Sequence, residues 1–487
     1  MSALESRPVE TCDVCIVGAG IAGLNALFAA SRYLSREQRV VLIDRRARVG
    51  GMWVDVYSYV RLHQPHPMFT AGNIEWALGK ERSYLATKGE VLDHLEHCLD
   101  VMRQRVRVDE RFGWNFESEE EANGIVRVTC AAADGRVLVV ETKRLIKAYG
   151  LAITPNEPLD ISSKRVRSVS PDFCDVRAGD MRESDAPVWI VGGGKTAMDT
   201  AHALITAYPG REVNLVAGRG TFFSSRDKLL PSGVRRWWKG TPLNTVGTQM
   251  SRRYDGTNES QVQDWYRARY GTFLTPQADN FLFGVLSEAE NQTISAGLND
   301  LVMDYLEDAV DRNGTTELVF RSGSTKTIQP GSWIVNCTGY VKVTDEYPYE
   351  PYVSPGGAVV SANMRSAILH LPAFMGYFLG HLLLLDKLKE IPLYEVDWQE
   401  LRRKAPIAFP YVLFALVQHN ISVIYDNVPS RVFSENGLDF DRWYPLPRRL
   451  PGLARFMLTH RRERERQRRV LDTVRERFQI RCGPLSA

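Results

Sequence analysis

Two runs of apolar, β-branched residues each lead directly into a glycine cluster, and a helical pattern follows each cluster. The first run, Val14–Val17, comes before a predicted helix over Leu24–Tyr33 and a predicted strand over Val40–Ile43. The second run, Val188–Val191, opens the same order, which ends on the predicted strand Val213–Val216. This repeat of strand, helix and strand predicts an α/β protein with two parallel-sheet units.

The rest of the chain mixes both kinds of pattern. Further elements are predicted as helices over Lys88–Val106, Met198–Tyr208, Gln261–Tyr270 and Ser287–Ala309, antiparallel strands over Gly124–Val140, and strands over Arg144–Ala148, Leu318–Thr327 and Ser332–Thr338. From about residue 390 onward the pattern is mostly helical.

Composition narrows the class of protein. At 487 residues the chain is long enough for more than one domain, and its 44% apolar and 24% charged residues are typical of globular proteins. Seven scattered cysteines favour a reducing compartment over a disulfide framework. The first ten residues contain no apolar signal segment, and the longest apolar runs are shorter than the roughly 20 residues that cross a bilayer. We therefore expect a soluble, cytoplasmic protein without a transmembrane segment.

Charge is concentrated near the C-terminus. The net charge is +3, but residues 448–481 contain twelve arginines and only four acidic residues. Arg461–Arg469 predicts a solvated helix with internal Glu–Arg pairs, and an acidic partner, anionic lipid or nucleic acid is the alternative. Nothing else indicates nucleic acid, so we expect none as a partner. Trp237 and Trp238 are predicted to be core or lid residues, or walls of a substrate pocket.

Gly18, Gly20 and Gly23 have the spacing of a dinucleotide-binding turn. The first glycine permits a tight turn, the second lets backbone amides approach a pyrophosphate, and the third lets the helix pack closely. Asp44 ends the next strand, where a carboxylate can bind both ribose hydroxyls. Strand, helix and acid in these positions predict a nucleotide site rather than a glycine-rich turn alone.

The second cluster has the same spacing with one change. Gly192 and Gly194 are followed by Ala197 at the third small position, a variant common where NADP is bound. Lys195 directly follows the glycines and is predicted to reach phosphate or ribose. Thr196, the next residue, is also predicted to bind the cofactor.

An arginine replaces the acid in this second unit. The strand Val213–Val216 is followed by Arg219, which can pair with a 2′-phosphate that an aspartate would repel. Arg226 is a second candidate for that role, and a solvated loop charge is the plainer interpretation of Arg219. The prediction is a site for NADPH rather than NADH.

The stretch after Asp44 resembles a known family. Arg45 follows the acid, and Gly51, Met52 and Trp53 can place bare backbone and a flat indole against a cofactor ring. With the polar segment 59–67 behind it, this stretch resembles the flavin-containing monooxygenase family, including its plant auxin-forming branch and, more distantly, the Baeyer–Villiger monooxygenases. The strand ends 148–150 and 336–340, the second containing Thr338 and Gly339, match further motifs of that family.

The resemblance implies two Rossmann-like domains, in which an NADPH domain is inserted into a discontinuous FAD domain. The boundaries that we expect are 1–158 for the first part of the FAD domain, 159–328 for the NADPH domain with a helical insert, 329–388 for the second part of the FAD domain, and 389–487 for a helical extension with a basic tail. A homodimer is an open alternative to a monomer.

The resemblance also implies an activity, an NADPH-dependent, FAD-containing monooxygenase that acts on a small organic substrate at N, S or C. In that family NADPH reduces the flavin, O₂ adds as a C4a-(hydro)peroxyflavin, and one oxygen atom passes to the substrate. His63 falls where some members place an asparagine beside the flavin, so His63 and Gln64 are predicted as hydrogen-bond donors to the flavin edge. A polar loop held by prolines is the alternative.

One segment departs from the family. Residues 159–168 contain neither the glycine nor the histidine of the family's Phe-x-Gly-x-x-x-His motif, so a flavin-dependent dehydrogenase or reductase is the alternative activity. A non-catalytic flavoprotein is a third hypothesis. A disulfide reductase is disfavoured because Cys12 and Cys15, three apart in a strand, are expected on opposite faces, and no cysteine pair follows Gly51.

Overall fold

A computed structural model of the chain describes residues 9–150, 153–339 and 348–485, and its strands and helices are numbered here along the chain. The first sheet has the order β3-β2-β1-β6-β5-β4, with β18 also bound to β6. Its strands are β1 (Val9–Val17), β2 (Arg39–Asp44), β3 (Arg107–Phe112), β4 (Trp114–Ala122), β5 (Ile125–Ala132), β6 (Val137–Lys147) and β18 (Val359–Ser361).

Strand β6 joins two distant parts of the chain. Its first half pairs antiparallel with β5, and its second half pairs parallel with β18, with Ile146 opposite Val360. Because β18 follows the whole second unit, the first unit is discontinuous in sequence, and this confirms the predicted class of fold.

The second sheet is wholly parallel, with the order β13-β9-β8-β17-β7. Its strands are β7 (Arg167–Val169), β8 (Val188–Val191), β9 (Val213–Val216), β13 (Asp300–Val302) and β17 (Trp333–Asn336). The predicted boundary at 328/329 assigned Trp333–Asn336 to the first unit, but hydrogen bonds to β8 and β7 place this strand in the second sheet. The return to the first unit therefore comes after Asn336.

Three small sheets complete the strands. They are β10 (Phe223–Ser225) with β11 (Gly271–Thr272) and β12 (Val285–Leu286), β14 (Leu306–Arg312) with β15 (Thr315–Phe320) and β16 (Thr325–Ile328), and β19 (Tyr394–Val396) with β20 (Cys482–Pro484). The predicted helix Ser287–Ala309 is wrong in its second half, because it stops at Gly297 and the chain then enters β13 and β14. The β-branched and acidic residues after Gly297 pair edge to edge with neighbouring strands instead.

Thirteen helices are present in the described residues. They are α1 (Ile21–Ala30), α2 (Lys88–Arg103), α3 (Gly179–Glu183), α4 (Lys195–Ala207), α5 (Arg226–Leu229), α6 (Leu243–Arg253), α7 (Glu259–Tyr270), α8 (Glu288–Gly297), α9 (Pro372–Leu384), α10 (Trp398–Lys404), α11 (Phe409–Asn427), α12 (Ser430–Ser434) and α13 (Leu446–Phe478). Local chemistry starts α2, where Thr87 and Glu90 form a reciprocal capping box.

The apolar helices α1 and α9 pack against each other beside the first sheet. A side chain at Gly376 would lie 2.1 Å from the Ala22 carbonyl oxygen, so the glycine allows this close approach. In the C-terminal region α11 packs against α13, and β20 ties the end of the described chain to β19. This confirms the predicted helical extension.

Candidate functional site

The first glycine turn is held by backbone on two sides. Gly18 has φ +103°, and a Cβ there would lie 2.6 Å from the Ala148 carbonyl oxygen at the end of β6. A Cβ at Gly23 would lie 1.7 Å from the Gly18 carbonyl oxygen. Any side chain at either position would collide with main chain, so α1 begins directly against the end of β1.

Asp44 lies buried at the end of β2 and organises the turn. Its Oδ2 accepts the Ala19 amide at 2.7 Å, and its Oδ1 accepts the Arg46 amide at 2.8 Å. Arg46 also forms hydrogen bonds with Asp55, whereas Arg45, the predicted cofactor residue, is exposed. Arg46, which no sequence pattern indicated, is therefore the side chain that lies next to the acid.

A second glycine segment approaches the turn from the opposite side. Gly51 has φ +56°, and a Cβ there would lie 2.7 Å from the Gly20 Cα atom. Trp53 is buried with its ring centroid 5.6 Å from that of Phe69, and Met52 is half-buried beside it. Bare backbone at two facing glycines, with a buried acid behind them, fits the diphosphate and ribose of a dinucleotide.

The second glycine turn repeats only part of this arrangement. Gly192 has φ +134°, and a Cβ there would lie 2.1 Å from the Cys337 carbonyl oxygen at the end of β17. In contrast, a Cβ at Gly194 would meet no heavy atom within 4 Å. Ala197 is completely buried in the first turn of α4, and Thr196 is nearly so. The turn is thus closed toward the sheet and open above α4.

Charged residues surround this open side. Lys195 forms an ion pair with Asp199 one helical turn later. Arg219 forms a two-point hydrogen bond with Asp279, at 2.7 and 3.1 Å, and its side chain is 47% exposed. That exposure leaves the guanidinium within reach of a ligand at the surface, although Asp279 already neutralises part of its charge.

The remaining predicted cofactor residues lie at the end of β17. Thr338 donates its amide and its hydroxyl to the side-chain oxygen of Asn336, and Gly339 has φ +91°. Tyr340, the last residue of the predicted motif, lies outside the described residues.

The polar segment after Trp53 connects the two units. Tyr57 donates a 2.8 Å hydrogen bond to Asp199, and Tyr59 shares one of 2.8 Å with Thr200, both on α4. This segment of the first unit therefore runs across the start of the helix that opens the second unit. It therefore joins the two glycine turns through side-chain hydrogen bonds.

His63 is the centre of this connection. Its Nδ1 accepts the Val285 amide at 3.3 Å, and its carbonyl oxygen accepts the Arg226 Nε at 2.9 Å. Burial, together with the positive charges of Lys195 and Arg226, lowers the pKa of His63 to about 3. His63 is therefore a neutral imidazole. Because Val285 occupies Nδ1, only Nε2 is left to contact a ligand.

Arg226 lies inside this region and not on the loop beside Arg219. Its Nη1 is 2.9 Å from Glu290, which is held at a pKa of about 2 by Arg226 and Lys195 in spite of its burial. Its Nη2 is buried and has no hydrogen-bond partner among the described residues. The prediction that Arg226 competes with Arg219 for a 2′-phosphate is therefore not supported by its position. Gln64 is half-buried and forms no hydrogen bond with a described residue.

A cluster of aromatic side chains lies next to this region. Its half-buried rings come from three parts of the chain, and they are Phe283, His370, Phe374, Phe414 and Phe440. The ring centroid of His370 lies 5.4–6.5 Å from the ring centroids of three phenylalanines, Phe283, Phe374 and Phe414. Phe283 adopts a left-handed backbone with φ +59°, two residues before Val285, which binds His63. No sequence motif marks these residues, because their spacing along the chain carries no period.

Two further predictions are resolved by the structure. Cys12 and Cys15 do not point to opposite faces, because Cys12 packs against the cluster that contains Cys15. The ladder between β1 and β6 skips Asp13 between them. Both remain free thiols. Residues 159–168, which depart from the family motif, bind the small antiparallel sheet, where Ser162 donates to Asp308 and Val166 is buried.

Comparisons with known proteins agree with this geometry. The model of the pyridine nucleotide-disulphide oxidoreductase family matches residues 12–236. Uncharacterised proteins of Mycobacterium tuberculosis and Mycobacterium bovis are each 29% identical over 207 residues, which is 40% of this chain and 36% of those proteins. The chain thus spans about a third of the length of these curated relatives.

Solved structures show the same fold at low identity. Ornithine N-hydroxylase of Kutzneria sp. 744, solved with reduced FAD, NADP⁺ and L-ornithine, is 13% identical, with a TM-score of 0.50, over 78% of this chain and 99% of that one. Cyclohexanone monooxygenase is 12% identical, with a TM-score of 0.50, over 93% of this chain and 99% of that one. Residues 12–236 therefore match the model of the pyridine nucleotide-disulphide oxidoreductase family, and the chain shares the fold of these two solved structures.

Proposed function

We propose that the chain is a monooxygenase that uses FAD and NADPH to insert one atom of O₂ into a small organic substrate at N, S or C. The observation that carries this proposal is the segment Tyr57–His63, which leaves the first glycine site and binds the start of α4 in the second. An enzyme that passes electrons from one dinucleotide to another needs both held in one fixed geometry.

Residues of the first unit would hold FAD. The glycine pair Gly20 and Gly51 gives a backbone surface for the diphosphate, and Asp44 is placed for the ribose. Trp53 would cover a flat ring. Bound FAD supplies electron transfer and O₂ chemistry that no side chain of the protein can provide.

Residues of the second unit would hold NADPH. Gly192 and Gly194 open α4 toward the diphosphate, Lys195 lies one residue beyond them, and Arg219 faces the 2′-phosphate from the surface. Buried Arg226 Nη2 is a free donor near His63, where a nicotinamide carbonyl would find a hydrogen bond.

The aromatic cluster would line the place where the substrate binds. Burial lowers the pKa of His370 to about 4, so the cluster contains one neutral imidazole among four phenylalanines. Its Nδ1 is buried without a partner in the described part of the chain. Such a wall favours an uncharged, largely apolar molecule that carries one hydrogen-bonding group, and it keeps water from the reacting atoms.

A reductase is the second candidate, favoured by one observation. Residues 159–168, which stand where the family has its identifying motif, pack against Asp308 and its neighbours in the small antiparallel sheet. We also propose a cytoplasmic location, because all seven cysteines are free thiols. The homodimer stays an open alternative.

Labelled oxygen separates the two functions. The purified chain, reconstituted with FAD, is mixed with NADPH, ¹⁸O₂ and a panel of apolar amines, sulfides and ketones. We expect that one compound of the panel gives a product that contains ¹⁸O. The same compound should accelerate the oxidation of NADPH. NADPH oxidation that yields only hydrogen peroxide, or that proceeds under nitrogen with an artificial electron acceptor, would support the reductase. His370→Ala should impair oxygenation while the rate of flavin reduction by NADPH stays unchanged, because His370 lies outside the NADPH site.

A further inference from the structure

Exposed large apolar side chains are concentrated on one part of the surface. Of the fourteen in the described residues, eight lie in the segments 233–239 and 446–458. They are Val234, Trp237, Trp238, Leu446, Leu450, Leu453, Met457 and Leu458. Their exposure runs from 50% at Leu450 to 85% at Leu458, so none of them belongs to the core. These two segments are called the tryptophan–leucine surface.

The two segments lie side by side. The Arg448 guanidinium, on the first turn of α13, donates hydrogen bonds to the carbonyl oxygens of Arg236, Lys239 and Gly240. The exposed leucines and Met457 recur every three or four residues, which places 446, 450, 453 and 457 on one face of α13. The surface is therefore one continuous patch with the indoles beside the helix.

The patch is strongly basic. The two segments contain six cationic side chains, Arg235, Arg236, Lys239, Arg448, Arg449 and Arg455, and no acidic one. Arg449 pairs with Asp439 outside the patch. Arg235, Lys239 and Arg455 form no ion pair within the part of the chain that the structure describes, which leaves their charges available to a partner.

We propose that the tryptophan–leucine surface binds the face of an anionic lipid bilayer. Indole rings and leucines enter the boundary between headgroups and acyl chains, and flanking lysines and arginines meet lipid phosphates. A second copy of the chain fits less well, because a two-fold contact would set these cations against the same cations with no acid between them. A purely electrostatic partner would not account for two exposed tryptophans.

Binding of this kind is peripheral. Within residues 9–150, 153–339 and 348–485, no helix is long and apolar enough to cross a bilayer. Helix α13 would lie along the membrane plane, and an apolar substrate dissolved in the lipid would meet the enzyme there. This last point rests on the proposed function, whereas lipid binding itself does not.

Vesicle flotation tests the proposal with the full chain. Vesicles of phosphatidylcholine, with and without phosphatidylglycerol, are floated with wild type, Trp237→Ala/Trp238→Ala, Met457→Glu and, as a matched control, Phe173→Ala, since Phe173 is 60% exposed elsewhere. We expect binding to the anionic vesicles only, weakened by high salt. The double variant and Met457→Glu should lower the partition coefficient about tenfold or more, and Phe173→Ala should leave it unchanged.

Three results would overturn the proposal. One is no flotation of wild type with anionic vesicles, and another is equal flotation of wild type and the double variant. The third is a dimer in analytical ultracentrifugation that Trp237→Ala/Trp238→Ala abolishes, which would assign the patch to contact between copies. Circular dichroism confirms that the variants are folded. Because flotation needs neither FAD nor NADPH, its failure would leave the monooxygenase proposal in place.

Discussion

The two glycine turns share a spacing motif but differ in how closely the surrounding main chain approaches the glycines. In the first, main chain presses on Gly18, Gly20 and Gly23, with hypothetical Cβ contacts from 1.7 to 3.2 Å. In the second, only the side toward the sheet is closed, and Gly194 faces open space. The first turn is also fixed by a buried acid, Asp44, for which the second has no counterpart. Such a difference suits a cofactor held permanently in one site and a co-substrate that enters and leaves the other.

The largest expected effect comes from the third small position. Gly23→Ala places a methyl group 1.7 Å from the Gly18 carbonyl oxygen, so α1 must move away from β1. We expect a loss of more than about 4 kcal/mol in the free energy of unfolding, or no folded protein, and no bound flavin. Urea unfolding and flavin absorbance measure both effects.

The equivalent position of the second unit is the control. Ala197→Gly removes a methyl group from a helix, which costs about 1 kcal/mol, and should leave flavin content unchanged. Gly194→Ala should fold normally, because its methyl group meets nothing, yet weaken NADPH binding about tenfold if diphosphate lies there. Equal damage from Gly23→Ala and Ala197→Gly would remove the distinction between the two turns.

A moderate effect is expected at the surface of the second unit. Arg219→Ala removes the cation that faces the 2′-phosphate, so the ratio of kcat/KM for NADPH to that for NADH should fall about tenfold. Asp279→Asn is the matched variant, because it frees Arg219 from its present partner and should raise the same ratio. A ratio that neither change moves would leave Arg219 as a solvated loop charge.

The smallest effect concerns pH. The pKa of His63 is about 3 in the folded chain, against an ordinary 6.5, so the unfolded chain binds a proton there that the folded chain does not. As pH falls from 6.5 toward 3, this difference lowers the free energy of unfolding. His63→Gln should therefore lose less stability than wild type between pH 7.5 and 6, by about 0.8 kcal/mol in urea titrations. Parallel losses in both proteins would mean that His63 titrates normally.

Much of the fold follows from local patterns. Val188–Val191 and Val213–Val216 have the predicted bounds, because short β-branched runs before a glycine turn have few alternatives. The prediction of a helix as far as Ala309 was wrong because the polar stretch from Asn299 to Arg312 is compatible with either a helix or a strand. Pairing with β9 and β15 makes it form strands. Long-range pairing of that kind leaves no local signal.

Only part of the candidate site could be predicted from the sequence. The glycines and Asp44 follow the spacing of a dinucleotide-binding unit, and His63 lies in a segment that resembles a known family. These residues could therefore be predicted as candidates from the sequence. The aromatic cluster could not, because Phe283, His370 and Phe414 come together only when the insert, the segment before α9 and α11 pack. Trp237 and Trp238 were assigned to a core, lid or pocket wall because aromatic pairs usually lie there, and their exposure is a tertiary fact.

The divided strand β6 has a consequence for how the chain is made. Its second half stays without a neighbour on one side until Val359–Ser361 leaves the ribosome, after the whole second unit has been synthesised. During that interval an apolar strand edge is open to other chains, a state that favours aggregation. A high level of expression raises the concentration of such incomplete chains, and their aggregation increases with that concentration. Slow expression in the cold, with chaperones that shield strand edges, is the production route that this topology recommends.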